Sequence, residues 1–527
     1  MNFAKVFDLI RGQTGTRVVR ACRIDVRTML SLVLLSGCGP TSTSCEESAT
    51  CAPGDGGALQ DGDSSSGSDG STCDSSKDPS ENPCVVDARF GVFVSASGSD
   101  GASGTKAAPF KTITHAFAKA NGKNVYVCAG TYAETVTINS ATDGARLFGG
   151  FDCASWTYSA STRPKVAPTS GIPLTVKELS NGATIEDMEF DAPDATIAGT
   201  DSLGAIVDTA MNVILRRVKI IAGSGAAGQP GGNGAKGDDG ASAGADQQGK
   251  SANCSADAGA AQLGGSWPAL MCGSKGGVGG TAIQGGAGGT GFPGQPGTNQ
   301  NGGPTGGDGT KGADGVPGVN GIAGSATGTF SATGYVPAPR GGDGTNGNPG
   351  QGGGGGGASS TNSPSLSTCL GASGGAGGMG GCGGKPGTGG ASGGASVALL
   401  SWQSSITLET CSLVAAPGGA GGSGGDGGPG GQGNAGGDGG SGLVNGSDMI
   451  AKGGHGGPGG NGGQGGAGAG GSGGPSYALV YKGASPTRLS TTLMSGMPSQ
   501  GGKGGTGASG RAPDGASGLT AMVFSVP

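Results

Sequence analysis

Histidine is nearly missing from this chain. Two residues, His115 and His455, occur in 527, and neither has a partner at ligand spacing. No zinc centre and no histidine-based triad is expected. Aromatics make up 4%, and Trp156, Trp267 and Trp402 stand too far apart in sequence to mark a sugar-stacking groove. Net charge is −6 and the basic residues are scattered, so no basic face is available to a nucleic acid. No apolar run approaches the ~20 residues of a spanning helix. Proline is sparse where glycine is dense: residues 418–474 hold only Pro429 and Pro458, too few to pre-set a collagen helix.

What is abundant is glycine, 127 residues of it, well above ordinary usage. The N-terminus carries a second signal. Lys5, Arg11, Arg17, Arg20, Arg23 and Arg27 precede a short apolar run, MLSLVLLSG, that ends at Cys38. A basic segment followed by a short apolar one is an export signal. The residues LSGC, Leu35 to Cys38, resemble the lipobox of bacterial lipoproteins. That resemblance implies cleavage before Cys38, acylation of its thiol, and a membrane partner reached through the lipid, at the outer membrane or cell surface.

Cysteine usage fits export. Of thirteen cysteines, Cys22 is removed with the signal and Cys38 is lipidated, which leaves eleven. Local spacing suggests Cys45–Cys51, Cys73–Cys84, Cys128–Cys153, Cys254–Cys272 and Cys369–Cys382, with Cys411 left over. Connectivity is not provable from spacing alone.

Residues 1–37 therefore read as a lipoprotein signal peptide and 38–83, rich in Ser, Asp and Gly, as a disordered tether. The segment from Gly91 to Ile138 opens with a short strand, VFV. Ile113, Ala116, Phe117 and Ala120 then fall on one face of a short helix, and the strands VYV and TVTI follow. The runs SGSDGASGTKAAPFKTI and VYVCAGTYAETVTI resemble the N-terminal cap and first coil of pectin-lyase-like proteins. The resemblance implies a right-handed parallel β-helix with its open end covered by a helix.

Four stretches repeat: TIEDMEF (184–190), ILRRVKI (214–220), TLETCSL (407–413) and RLSTTLM (488–494). Each places side chains at three offsets: Ile185, Met188 and Phe190; Leu215, Val218 and Ile220; Leu408, Cys411 and Leu413; Leu489, Thr492 and Met494. The uneven spacing describes a strand, a two-residue corner and another strand, all facing one interior. One such coil cannot bury its inner face alone, so stacking supplies the core. The expected fold is all-β: a right-handed parallel β-helix with an N-terminal capping helix and long glycine-rich (GGx) insertions leaving one corner. The β-helix parts are 84–222, 395–415, 476–496 and 518–527. The insertions are 223–394, 416–475 and 497–517.

Within the insertions the period is three, and the middle position is usually glycine as well. Three states fit that composition: extended three-residue helices packed through their backbones, disorder, and a collagen-like trimer. The composition resembles the glycine-rich regions of PGRS proteins, without the N-terminal domain those carry.

Chemistry candidates are few. Glu186, Asp187, Glu189 and Asp191 form the one dense carboxylate group. The alignment stacks Glu186 and Glu409 on Arg216, Asp187 on Arg217 and Glu189 on Lys219, which reads as a structural ion ladder. GASGG at 371–375 and 390–394 matches a nucleophile motif but lacks its strand-turn-helix setting. GGSGGD at 421–426 is a single partial match to a calcium repeat. No catalytic residue, metal site or cofactor is assigned. Two functional classes stay open: a cell-surface lipoprotein with a structural, adhesive or interaction role, and a carbohydrate-active or carbohydrate-binding β-helix protein. Polysaccharide and surface proteins are the candidate partners.

Overall fold

The computed structural model describes residues 73–74, 76–295, 302–325 and 327–527. The export signal, Cys38, Cys45 and Cys51 lie outside the described residues. The folded unit spans Ser71–Pro527.

Three parallel sheets form the faces of a right-handed β-helix. A typical coil runs Ala183–Glu186 on the first sheet, Glu189–Asp191 on the second and Ser202–Asp208 on the third. The next coil begins at Val213–Arg216 and pairs with it in register, Ile185 against Leu215. The turn between the first two sheets is tight. Asp187, Arg217, Thr410 and Ser490 occupy it in four successive coils, all left-handed with φ of 49–54°. This corner is the physical source of the uneven spacing in the repeat.

Leu215 also pairs with Leu408, across an excursion of 193 positions. Ile185, Leu215 and Leu408 are fully buried in one column, and Met188, Val218 and Cys411 form the next. The last coil differs from the sequence alignment by one residue. Arg488, not Leu489, pairs with Leu408, and Leu493, not Met494, pairs with Leu413. Leu489 is 52% exposed. The first two sheets end at this coil, so its residues cover only one side and need not be apolar.

At the other end α1 (Ile113–Ala120) buries Ile113, Ala116, Phe117 and Ala120, and Thr112 caps it by accepting the amide of His115. These apolar side chains join the β-helix core and cover what would otherwise be an open edge. Residues 76–90 lie against the outside of the first sheet. They are held by the Cys73–Cys84 disulfide, by the Tyr126 hydroxyl donating to Val85 O at 2.6 Å, and by a small apolar cluster of Val85, Val86, Phe93, Tyr126 and Phe151. The tether expected to reach residue 83 is therefore shorter, because Asp78 and Cys73 are built into the folded unit.

Second-sheet strands end at Ala222, Ala415 and Met494, and the chain rejoins the third sheet at Ser396, Ser476 and Thr520. The described residues between leave from one corner and pack on one another. The glycine tracts form extended helices that run antiparallel and parallel to one another, hydrogen-bonded every third residue. The tract 373–394 lies innermost. Gly378, Gly381, Gly384 and Gly387 donate to the carbonyls of Gly457, Gly460, Gly463 and Gly466 at 2.8–3.0 Å. Cys382, Lys385 and Thr388 donate to a second neighbour at Asp238, Ala235 and Gly232. The same tract accepts from Gly344, Gly347 and Gly350 and from Gly425, Gly428 and Gly431. Of the three states open to this composition, packed extended helices are the one adopted.

Glycine content follows position in this lattice. A three-residue turn has three faces, and each face that meets another backbone leaves no room for Cβ. The outer tract around Gly231, Gly234 and Gly237 has one strict glycine per turn, and 373–394 has two in every turn but those of Pro386 and Ser392. Gly352–Gly357 is all glycine. A Cβ at Gly355, Gly356 or Gly357 would overlap the carbonyl of Val278, Gly454 or Pro304 respectively, three different neighbours. Non-glycine positions often complete the bonding: Asp308, Asp314 and Asn320 accept the amides of His455, Asn461 and Ala467 at 2.7–2.9 Å.

Two disulfides within the first insertion correct the pairings that local spacing suggested. Cys254 bonds Cys369 and Cys272 bonds Cys382, not Cys254–Cys272 and Cys369–Cys382. The lattice returns the chain alongside itself. Asn253 and Leu370 exchange backbone hydrogen bonds, and Gly380 N donates to Ser274 Oγ, which brings partners more than a hundred residues apart together. Cys128 bonds Cys153. Disulfides of this number mark an oxidising compartment, and the protein is exported. Among the described residues, no helix is long and apolar enough to cross a membrane.

Candidate functional site

The carboxylates singled out in the sequence line one corner, Glu186 on the first sheet, Asp187 in the turn, and Glu189 and Asp191 on the second sheet. Register puts Glu186 and Glu409 on either side of Arg216. Arg216 Nη1 lies 2.6 Å from Glu186 and its Nε 2.6 Å from Glu409, and Arg216 also pairs with Asp78 of the covering segment. Arg217 reaches Glu186 at 2.9 Å and Asp187 at 2.8 Å. Tyr158 donates its hydroxyl to Asp187 at 2.7 Å, and Arg146 holds Asp78 at 2.6 Å. Lys219 faces Glu189 at 3.5 Å and Lys165 pairs with Asp191.

This is more than a surface ladder. Glu186 and Asp187 are each 1% exposed, because Asp78 of the segment 76–90 closes over Glu186 and Tyr158 over Asp187. That cover was not visible in the alignment, which contained no partner for Asp78. Burial, followed by the charge of Asp78, pushes the Glu186 carboxyl up to about 7. Burial and the bond to Asp187 push Tyr158 up to about 12. Every carboxylate of the cluster is bonded to a cation or a hydroxyl; Glu186 and Asp187 are covered, while Glu189, Asp191 and Glu409 stay half-buried. A catalytic acid-base pair needs substrate access and carboxyls of separated proton affinity. Here every group is paired and the central two, Glu186 and Asp187, are covered, which is a clamp.

The other sequence candidates disperse. His115 packs edge-on against Phe110, and His455 Nδ1 meets Asp438 at 3.1 Å. Ser373 and Ser392 of the two GASGG matches are buried in the lattice. No group of acidic, His or Cys residues able to hold a metal occurs among the described residues. Trp156 and Trp267 are buried, donating their ring N–H to Lys106 O and Gly377 O.

Cys411 is the free cysteine among the described residues. Its thiol donates to Leu215 O at 3.1 Å and is 2% exposed, and burial raises its pKa. It should resist alkylation in the native protein and react once unfolded. Cys411→Val should cost less than about 1.5 kcal/mol. Rapid native labelling measured by mass spectrometry would contradict this.

Trp402 has company that the sequence did not reveal. A hairpin of the first insertion, Thr329–Ser331 with Gly334–Val336, folds back over the outside of the third sheet. Asp201 of the β-helix anchors it by accepting the amide of Tyr335 at 2.8 Å. Phe330 and Tyr335 then stand over Tyr477 and Phe524, with ring centroids of Phe330 5.1, 5.9 and 5.8 Å from the other three. Tyr477 and Phe524 stack at 4.9 Å. Beside them opens a cleft of about 510 Å³, completed by Trp402, Lys482 and Val526.

Fold and site together define a parallel β-helix protein with an insulated charge clamp and a glycine-helix lattice grown from one corner. Residues 96–200, which hold the cap and early coils, match the family described as protein of unknown function (DUF1565). Among solved structures, a pectin methylesterase from carrot is similar at 15% identity over 26% of this chain, with a TM-score of 0.13. The similar region spans 54% of that enzyme's length. No curated protein matches.

Proposed function

We propose that this chain is a lipid-anchored surface protein that works by contact, in adhesion or scaffolding, without chemistry of its own. The observation that carries this reading is the lattice. Its helices interlock through backbone hydrogen bonds, and their non-glycine residues form rows at every third position, roughly 9 Å apart for an extended helix of this type. Such rows on a stiff support make a regular recognition face. The covered clamp argues against the carbohydrate-active alternative, since its carboxylates are neutralised. Lipid anchoring rests on LSGC and the basic run before it. Polysaccharide and other surface proteins are the partners such a face would meet.

Two measurements test this. Cys38→Ala should move the protein from the membrane fraction to the soluble one, and normal retention would remove the anchor. Incubation of the full chain with a panel of acidic polysaccharides should release no new reducing or unsaturated ends. Measurable depolymerisation would replace the contact role by an enzymatic one.

A further inference from the structure

We infer that the aromatic cleft between the hairpin and the third sheet is a binding site for a neutral sugar chain, a run of pyranose rings that carries hydroxyls and no charge. The inference does not depend on the contact role proposed above, which rests on the lattice.

The cleft joins two distant parts of the chain. Phe330 and Tyr335 come from the glycine-rich insertion, and Trp402, Tyr477 and Phe524 from the β-helix. Its volume, about 510 Å³, falls in the ordinary range for a small-molecule pocket. Tyr477 and Lys482 line it from opposite ends of one strand, Ser476–Lys482. That separation is roughly 16 Å at the usual strand rise, longer than one sugar ring.

Charge on the wall is cancelled. Lys482 is the one lysine or arginine there, and its Nζ is bonded to an oxygen of Pro527, which lines the same cleft. No aspartate or glutamate lines it. An anion would give up its hydration and meet no free cation.

The uncharged polar groups are unspent instead. Tyr477 is 3% exposed, yet its hydroxyl has no hydrogen-bond partner among the described residues. Burial pushes that hydroxyl up to about 12, so it keeps its proton. The Trp402 ring N–H is likewise without a partner among the described residues. The Tyr335 hydroxyl accepts the amide of Gly328 at 3.0 Å, and its own proton is free to donate. Thr327 and Thr329 add two more hydroxyls. A hydroxyl both donates and accepts, so this set matches a ligand whose polar atoms are hydroxyls. A purely apolar ligand would desolvate the same groups and pair none of them. A proline-rich segment offers carbonyls alone and would leave the accepting sites empty. The rings supply the other half of the fit. Phe330, Tyr335, Trp402 and Phe524 are only partly buried, which leaves ring surface to the cleft. A pyranose with equatorial hydroxyls presents flat C–H faces, and the negative face of an aromatic ring attracts them. A β-linked chain keeps those faces in one ribbon.

The test titrates the purified full chain with cellotriose, with the β-1,4-linked glucuronate trimer and with tetraproline, following tryptophan emission and calorimetric heat. Trp156 and Trp267 are buried, so an emission change reports on Trp402. Cellotriose should bind about ten-fold more tightly, or better, than either of the other two. Trp402→Phe should remove the emission change and keep the heat. Tyr477→Phe deletes only the unpartnered hydroxyl. It should weaken cellotriose binding about ten-fold without lowering the melting temperature, which separates a lost ligand contact from a lost fold. No heat with cellotriose, equal or tighter binding of the glucuronate trimer or of tetraproline, or natural affinity in Tyr477→Phe would each overturn the assignment.

Discussion

Gly231→Ala is expected to destabilise the protein by on the order of 3 kcal/mol or more, while Gly232→Ala, one residue on, should not. The two glycines differ only in what surrounds them. Gly231 donates its amide to Ser423 O at 2.7 Å, and a Cβ there would overlap the carbonyl oxygen of Thr388. That oxygen belongs to a tract locked on several sides, so it cannot retreat. At Gly232 the nearest atom to a new Cβ is Thr388 Oγ1 at 3.8 Å, an ordinary contact, and the backbone is not left-handed. Alanine there should even stabilise by about 0.4–1 kcal/mol, because the unfolded chain loses freedom. Amide hydrogen exchange across the lattice reads both changes. Equal loss of protection in the two variants would mean that composition, and not phase, holds the tracts together.

The second large effect is expected at Arg216. Removing it leaves Glu409 without its cation and crowds Asp78 and Glu186, still held by Arg146 and Arg217, around one space, and breaking a buried pair from one side costs about 3–5 kcal/mol. Arg216→Met should therefore unfold at markedly lower denaturant, and Arg216→Met with Glu186→Gln should recover part of the loss. The natural protein should also show the clamp in its pH dependence. Glu186 has its proton affinity raised on folding, to about 7 from 4.5. The folded state therefore binds that proton more tightly than the unfolded one. The stability this provides is complete below pH 4.5 and is lost as pH climbs through about 7. Relative to Glu186→Gln, the natural protein should lose stability across that window. A flat difference between the two would show that Glu186 stays ionised throughout.

How far the sequence carried the fold depends on what each residue must do alone. The corner motif was legible because a left-handed residue between two inward side chains imposes a spacing found in neither a helix nor a plain strand. Ile185, Leu215 and Leu408 could thus be aligned across the insertions. The last coil was misread because the rule relaxes where nothing stacks beyond: Leu489 looks like a core residue and is exposed. The partners of Cys254 and Cys272 were not legible either. In the lattice, nearness is set by which backbone faces which, and a GGx repeat gives every tract the same face. Asp78 over Arg216, and Phe330 over Phe524, are long-range meetings with no periodic signal at either end. The clamp was half visible, through the register of Glu186, Arg216 and Glu409. The cleft was visible only as one isolated Trp402.

The lattice has a thermal consequence. A hydrocarbon core makes unfolding absorb heat capacity, since exposed apolar area contributes roughly +0.45 cal/K/mol/Å² and polar area about −0.26. The glycine tracts shield amides and carbonyls, with few side chains between them. Their melting would therefore carry a heat-capacity change far below that of the β-helix beside them. A small heat-capacity change flattens the dependence of stability on temperature. The spine, with its Ile, Leu and Val columns, weakens on cooling as any apolar core does, whereas the tracts keep most of their stability there. One chain thus joins two materials of different thermal response, and in the cold the stiffer partner is the one built from glycine.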